Sequence, residues 1–346
     1  MIMWRHAANH AIGMLLAVLV FAFYLTLPPF RTGASQVVYN PVLGVWHRPN
    51  YSGVKIRSCY NNAYSFDEQG LRPGEQESGT NQIVVLGDSQ MEATMLPDYN
   101  IFHNFLAHDL GHRWTVKNYG MAATAPVHQY VMLSSFIDLA QVTHVVQFVS
   151  LDNDLTESDP GEPSGQRAKA RLVFTDSMDR FELRYPPDYS VKERLADLMS
   201  RLELYAYTRG VFATVREHGK KWNRLFSEAG EGDGGRRTEL RWLNLVGAVY
   251  QIRHLLKKQG KQYLVIYWPV NGENGERFER ELTRLGVAHI DLRQALKRSG
   301  ADMERLSFAC DRHFNTATHA AIARIVVSSG FFEGRQPIQV SGGGRD

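Results

Sequence analysis

Five short apolar runs, separated by segments with helical periodicity, set the pattern of the chain after residue 80. Runs of this length, bounded by glycine, asparagine or aspartate, are typical of parallel strands that are buried on both faces. Strands that alternate with helices predict an α/β protein with a doubly wound parallel sheet, whose functional groups gather at the carboxyl ends of the strands. The predicted strands cover residues 82–86, 116–119, 144–151, 263–268 and 287–291.

A long insertion, residues 156–236, interrupts this alternation. It begins with a polar loop, continues with a predicted hairpin over residues 171–175 and 180–185 and a long helical pattern over 191–226, and ends at a glycine-rich stretch. We therefore predict one α/β domain with a large insertion. The remaining boundaries are residues 36–80 for an extended lead-in segment, 81–330 for the domain and 331–346 for a flexible tail.

The N-terminal region has a different character from the rest of the chain. Residues 11–28 include an uncharged apolar stretch that is long enough to span a bilayer and has no polar stripe, so we predict a transmembrane helix or signal anchor. Arg5 favours a cytoplasmic location for residues 1–10, which places the rest of the chain on the other side of the membrane. A cleaved signal peptide, with the cut after Ala34 or Ser35, is the alternative.

The composition limits the classes of function. The chain has 346 residues, of which 44% are hydrophobic and 22% are charged, so it can bury one sizeable core. The net charge of +3 is small and the Lys and Arg residues are scattered among acids, which argues against nucleic acid as a partner. His103, His108 and His112 lie close in sequence but lack the Cys or acidic partners of a recognised ligand set, so we predict no metal site and no cofactor.

Polar motifs follow three of the predicted strands and precede the last predicted helix. Ser89 follows a Gly-Asp pair at the end of the first strand, where a glycine allows a sharp turn that exposes the next side chains. Gly120 and Asn153 come directly after the second and third strands, and Asp311 lies two residues before His313. A serine, an imidazole and a carboxylate are the parts of an activated nucleophile, because the imidazole removes the serine proton and the carboxylate orients the imidazole.

The order of these motifs resembles the four sequence blocks of the SGNH/GDSL hydrolase superfamily. The resemblance covers about residues 81–330, with the insertion inside it. It implies a flavodoxin-like three-layer sandwich with a five-stranded parallel sheet. It also implies a carboxylic ester hydrolase or O-acyltransferase that needs no cofactor.

The resemblance assigns a role to each residue of the motifs. Ser89 would be the nucleophile, His313 the general base and Asp311 the residue that orients His313. The oxyanion hole would consist of the backbone amides of Ser89 and Gly120 and the side-chain amide of Asn153. Donors fixed at the developing oxyanion lower the barrier by roughly 3–4 kcal/mol each.

The chain contains two cysteines, Cys59 and Cys310. An even pair in an oxidising compartment favours a disulfide, and this one would join the lead-in segment to the residue beside Asp311. The sequence leaves open whether the two cysteines are bonded or are separate free thiols, because it does not give the distance between their Cα atoms.

The lead-in segment looks like that of membrane-anchored SGNH-like proteins of bacterial polysaccharide systems, such as the alginate O-acetylation proteins. We therefore expect a single-pass protein of the inner membrane with its catalytic domain in the periplasm. The expected reaction is hydrolysis or transfer of acetyl groups of a cell-surface or exported polysaccharide through an acyl-serine intermediate, beside other export or acetylation proteins. A non-catalytic glycan-binding or scaffold subunit is the alternative. Four aromatic side chains are candidates for a sugar-binding cleft: Trp46, Tyr60, Tyr64 and Trp268.

Overall fold

The computed structural model divides the chain into two compact units, Met1–Val38 with Tyr189–Gly232, and Tyr39–Asp188 with Asp233–Asp346. In the first unit, helix α1 covers residues 12–21. No helix among the described residues is long and apolar enough to cross a membrane. The residues that the structure describes are 12–21, 36–74, 79, 81–111, 113–161, 169–186, 234–269 and 272–333.

Several predicted segments lie outside the described residues. They are position 11 and residues 22–28 of the predicted membrane span, the predicted helix 191–226, and residues 334–346 of the predicted tail. Residues 331–333, at the start of that tail, form a 3₁₀ turn.

The second unit contains most of the secondary structure. Its first half, together with the strand at the boundary of the two units, consists of β1 (Val37–Asn40), β2 (Gly44–His47), β3 (Tyr51–Arg57), β4 (Tyr60–Phe66), β5 (Asn81–Leu86), α2 (Ser89–Glu92), α3 (Phe102–Leu110), β6 (Trp114–Asn118), α4 (Pro126–Ser135), β7 (Val142–Ser150) and α5 (Leu151–Glu157). Its second half consists of β8 (Arg171–Phe174), β9 (Phe181–Arg184), α6 (Gly234–Lys258), β10 (Gln262–Trp268), α7 (Gly272–Arg284), β11 (Ala288–Asp291), α8 (Leu292–Arg298) and α9 (Thr316–Ser328).

The central sheet has five strands in the order β11-β10-β7-β5-β6, and all neighbouring strands are parallel. The predicted five-stranded parallel sheet is therefore confirmed. Numbered along the chain, the strand order is 5-4-3-1-2, which is the flavodoxin-like order. Its topological switch point lies between β5 and β7, where doubly wound sheets bind their ligands.

Alternate side chains of the strands point to opposite faces of the sheet, and both faces are buried. Ile83 and Val85 of β5 pack in one cluster with Phe102 of α3 and Val326 of α9. Val84 points to the other face and is equally buried, with an exposed fraction of 0%. Because both faces are covered, the strands are continuous apolar runs in the sequence.

Two antiparallel hairpins stand outside the central sheet. Strands β8 and β9 pair as the sequence predicts for the start of the insertion. Strands β3 and β4 pair inside the predicted extended lead-in, with Arg57 opposite Tyr60 at the tip. This second hairpin matters for function because its tip carries Cys59.

Candidate active site

The turn after β5 presents Ser89 at the switch point of the sheet. Gly87 is required there, because a Cβ atom on it would lie 2.5 Å from Cγ of Met91. Asp88 then caps the short helix α2, and its Oδ1 accepts a hydrogen bond from the backbone N–H of Gln90 at 2.9 Å. The turn therefore fixes Ser89 as the first residue of α2, at the carboxyl end of β5.

Ser89, His313 and Asp311 form a continuous chain of hydrogen bonds. The Nε2 atom of His313 lies 2.9 Å from Oγ of Ser89. The Nδ1 atom of the same ring lies 2.5 Å from Oδ1 of Asp311, and the backbone N–H of His313 contacts that oxygen at 3.3 Å. The structure thus brings Ser89 to the predicted catalytic residues Asp311 and His313, which lie more than two hundred positions later in the sequence.

Gln90 holds the loop that carries His313. Its Oε1 atom accepts a hydrogen bond from the backbone N–H of Phe314 at 2.9 Å, and its Nε2 atom donates to the backbone oxygen of Arg312 at 3.4 Å. One amide side chain on α2 therefore bonds to the residues on both sides of His313. Asn315 caps α9 directly after this loop, with its Oδ1 accepting from the backbone N–H of Thr318 at 3.1 Å.

The tip of the β3–β4 hairpin contacts the same loop from the other side. Cys59 and Cys310 form a disulfide, with their Cα atoms 5.7 Å apart. The hydroxyl of Tyr60 donates a hydrogen bond to Oδ2 of Asp311 at 2.8 Å. Burial raises the pKa of Asp311, but the hydrogen bonds from His313 and Tyr60 outweigh burial, so the net pKa lies below its usual value. Asp311 is therefore ionised at neutral pH.

The predicted oxyanion donors differ in what they bind. The backbone N–H of Ser89 has no acceptor among the described residues. The backbone N–H of Gly120 donates to Oδ1 of Asn118 at 2.9 Å, and Gly120 is buried against α2. The side-chain amide of Asn153 lines the cleft beside Ser89 and donates to Oδ2 of Asp88 at 3.2 Å. In this arrangement the N–H of Ser89 has no acceptor, the N–H of Gly120 is engaged, and one of the two hydrogens on the side-chain nitrogen of Asn153 is engaged.

Ala123, three residues after Gly120, has a backbone conformation that the sequence did not predict. It has a positive φ of 56°, which is uncommon for a residue other than glycine, asparagine or aspartate. Its backbone N–H has no acceptor among the described residues. The ammonium of Lys169 donates to the backbone oxygens of Ala122 at 2.8 Å and Ala123 at 2.6 Å. Because a trans peptide directs its N–H opposite to its C=O, Lys169 orients the N–H of Ala123 away from itself.

Buried titratable groups interact electrostatically in this region. Burial lowers the pKa of Lys169 to about 8. Burial, together with the charge of Asp88, raises the pKa of Glu157 to about 7. Asp154 is fully buried, and its Oδ2 accepts from the backbone N–H of Ser150 at 2.8 Å, so it stabilises the turn from β7 into α5. Burial and the charge of Asp88 raise the pKa of Asp154 well above its usual value.

The far end of α2 is fixed by a buried ion pair that the sequence did not reveal. The Nε2 atom of His47 lies 2.8 Å from Oε1 of Glu92, and both side chains are almost fully buried. Burial raises the pKa of Glu92, but the hydrogen bond from His47 outweighs it and the net pKa is lowered. Arg72 donates to the backbone oxygen of Glu92 at 2.8 Å. The helix that starts with Ser89 is therefore fixed at both ends.

An open cleft of about 790 Å³ gives access to Ser89 and His313. Its aromatic wall includes Trp268, whose ring centroid lies 5.1 Å from that of Phe314. Trp46 and Tyr64 are buried elsewhere in the core and do not line this cleft. Among the described residues, no group of His, Cys, Asp or Glu could hold a metal ion. The cleft is lined by Arg57, Ser89, Gln90, Ser150, Asn153, Trp268, Ser307, Phe308, Ala309, Cys310, Asp311, Arg312, His313 and Phe314.

Comparisons with known proteins give distant structural similarity only. No protein-family model matches the chain, and no curated protein matches it in sequence. TesA is similar with a TM-score of 0.39 and 12% identity, covering 71% of this chain and 96% of that one. LAE5, an α/β hydrolase enzyme from the metagenome of Lake Arreo, Spain, has a TM-score of 0.39 and 11% identity over 73% and 95% of the two chains.

A third similar structure is a catalytic mutant of Axe2, an acetylxylan esterase from Geobacillus stearothermophilus. It has a TM-score of 0.39 and 10% identity, covering 73% of this chain and 94% of that one. Because all three TM-scores are below 0.5, we infer the function from the geometry of the site.

Proposed function

We propose that the chain is a serine-dependent enzyme of the SGNH type that cleaves or transfers acyl esters. The observation that carries this proposal is the hydrogen-bonded chain from Ser89 through His313 to Asp311 at the floor of an open cleft. A serine hydroxyl is a weak nucleophile until a base removes its proton, and Nε2 of His313 lies within reach of that proton. Asp311 fixes the ring orientation and stabilises the imidazolium that forms.

The proposed reaction has two steps. Ser89 Oγ attacks the ester carbonyl while its proton moves to Nε2 of His313, and the carbonyl oxygen becomes an oxyanion. The intermediate collapses when the alcohol leaves with the proton from Nε2, and the acyl group stays on Ser89. Water or a second alcohol then attacks the acyl-serine, with His313 acting again as the base.

The geometry supports stabilisation of the oxyanion by backbone N–H groups. The N–H of Ser89 serves this role without rearrangement, because it has no acceptor among the described residues. Asn153 donates one hydrogen of its side-chain NH₂ group to Asp88, which leaves the second hydrogen for the oxyanion. The predicted role of Gly120 requires release of its N–H from Asn118.

We propose a carbohydrate ester as the substrate, with an acetyl group as the acyl part. Trp268 offers an aromatic surface in the cleft, which can pack against a sugar ring. The guanidinium groups of Arg57 and Arg312 stand on its rim, and neither has a carboxylate within ion-pair distance among the described residues. Guanidinium groups bind carboxylates and hydroxyl oxygens, so an acidic glycan fits this rim well.

Acceptor dependence tests the proposal and separates hydrolysis from transfer. We expect the purified protein to consume an acetyl donor ester, and to acetylate a deacetylated oligosaccharide when one is added. Transfer requires the site to favour a sugar hydroxyl over water, which is present at far higher concentration. The measurement is mass analysis of the oligosaccharide together with assay of free acetate, for a neutral and a uronic-acid oligomer.

The outcomes of this experiment separate the alternatives. Acetylated oligosaccharide that forms with wild type but not with Ser89→Ala supports transfer. Release of free acetate at a rate that the acceptor does not change supports hydrolysis. Glycan binding without any Ser89-dependent turnover would favour a non-catalytic binding subunit.

We also propose that the domain works outside the cytoplasm, anchored to the inner membrane by residues 11–28. The support is the Cys59–Cys310 disulfide, since stable disulfides are typical of oxidising compartments, and the apolar composition of the N-terminal stretch. We expect full-length protein in the membrane fraction of expressing bacteria, released by detergent and accessible to protease added to the periplasm. Recovery of a soluble form that begins near Ser35 would instead indicate cleavage.

A further inference from the structure

Tyr60 is placed to act on the site through Asp311. Its hydroxyl is 2.8 Å from Oδ2 of Asp311, and its side chain is only 7% exposed. We propose that Tyr60 is a positioning residue, which locks the Asp311 carboxylate in the orientation that His313 needs. This inference rests on the proposed function, because it assigns Tyr60 a part in the same reaction.

The hydrogen bonds of Asp311 show which oxygen of its carboxylate Tyr60 restrains. Its Oδ1 receives both bonds from His313, one from Nδ1 and one from the backbone N–H. Its Oδ2 receives the Tyr60 hydroxyl, which is its one hydrogen-bond donor among the described residues. Carboxylate rotation is soft for an aspartate, so a donor on the second oxygen restricts it. Without Tyr60, the carboxylate can turn away from the imidazole.

Packing fixes the ring of Tyr60, so that its hydroxyl can restrain the Asp311 carboxylate. It packs in a cluster of buried apolar side chains, and its centroid lies 4.9 Å from that of Phe308. The disulfide one residue earlier, from Cys59 to Cys310, ties the hairpin tip to the residue before Asp311. The disulfide and the contact between the Tyr60 and Phe308 rings therefore join the hairpin to the catalytic loop beside the Tyr60–Asp311 bond.

The charges around Asp311 set the direction of the hydrogen bond. Burial, followed by the bond to Asp311, raises the pKa of Tyr60, so the phenol keeps its proton and donates. The titratable groups that face Asp311 are His313 on its own loop and Tyr60 on the hairpin. The positive charge of Arg57 opposes the rise in the pKa of Tyr60 but does not cancel it.

Tyr60→Phe tests the inference because it removes the hydroxyl and keeps the packed ring. We expect kcat toward a small acetyl ester to fall about tenfold with little change in KM, as for a lost bond to a charged group. A carboxylate that turns away from the ring stabilises the imidazolium less. The acid limb of the kcat/KM profile should therefore move to lower pH.

Two controls separate positioning from simple packing. Tyr51→Phe removes a phenol from the opposite end of the same hairpin and should leave kcat and the acid limb unchanged. In an Asp311→Asn background, Tyr60→Phe should cause no further loss, because Tyr60 acts through Asp311. Thermal unfolding of each variant verifies that it is folded.

A Tyr60→Phe enzyme with wild-type kcat and an unmoved acid limb would overturn the inference. The same holds if its loss is undiminished in the Asp311→Asn background, or if Tyr51→Phe loses as much activity. Each of these results would leave the proposed function intact, because each is measured against a wild-type protein that is active. An inactive wild type, or turnover that survives Ser89→Ala, would refute the proposed function itself.

Discussion

Ser89→Ala lowers kcat/KM toward a small acetyl ester by at least about 10⁴-fold, and His313→Ala lowers it to a similar level. The reason is that nucleophile and base act as one unit: an imidazole without the hydroxyl has no proton to remove, and the hydroxyl without the imidazole is scarcely nucleophilic. The double variant should be no slower than either single variant. Initial rates over a range of ester concentrations give the measurement.

Covalent labelling measures independently whether His313 activates Ser89 as a nucleophile. A fluorophosphonate probe should label the wild type and Ser150→Ala, which changes another serine of the cleft, but not Ser89→Ala or His313→Ala. Asp311→Asn should keep a small fraction of the wild-type activity, because the nucleophile and base remain in place. If Ser89→Ala consumes the ester as fast as the wild type, the assignment of the nucleophile is wrong.

The sheet could be predicted from the sequence because parallel strands that are buried on both faces are continuous apolar runs. Strand β5 is an example: Ile83 and Val84 point to opposite faces and both have an exposed fraction of 0%. The observed strand order agrees with the flavodoxin-like fold that the resemblance implies. The Asp311–His313 pairing also follows from local spacing, since two residues of loop bring Nδ1 to the carboxylate.

The parts that the sequence did not reveal depend on contacts between distant segments. Tyr60 meets Asp311 across 251 positions, and no local pattern marks either residue as a partner of the other. The positive φ of Ala123 could not be predicted either, because alanine rarely adopts that conformation, whereas a glycine would have indicated it. The predicted donor Gly120 illustrates the converse: a glycine after a strand can serve close packing, here against the backbone of α2.

Of the aromatic residues that the sequence predicts for a sugar-binding cleft, some line the cleft and others lie in the core. Trp268 lines the cleft, whereas Trp46 and Tyr64 are buried with exposed fractions of 3% and 5%. Composition cannot distinguish a core aromatic from one that binds a ligand, because both are large and apolar. The distinction depends on where the fold places each ring: Trp268 is the last residue of β10, at the carboxyl end of that strand and in the cleft.

Replacement of both cysteines, Cys59→Ser with Cys310→Ser, lowers the free energy of unfolding by about 5 kcal/mol in the chain-entropy account. The bond closes a loop with a sequence separation of 251, so its loss greatly increases the conformational entropy of the unfolded chain. The measurement is urea unfolding under non-reducing conditions, with the slope checked against that of the wild type.

Activity should fall with stability in this variant, because the disulfide holds the hairpin tip against the loop of Asp311. Each single variant, Cys59→Ser or Cys310→Ser, should match the double variant, since either one removes the whole bond. A reducing agent should shift the urea midpoint of the wild type towards that of the double variant and leave the double variant unchanged. Two free thiols in a non-reduced digest of the wild type, or a midpoint that does not respond to reductant, would contradict the bond. A bonded pair with no loss of turnover on reduction would show that the loop keeps its geometry without the hairpin.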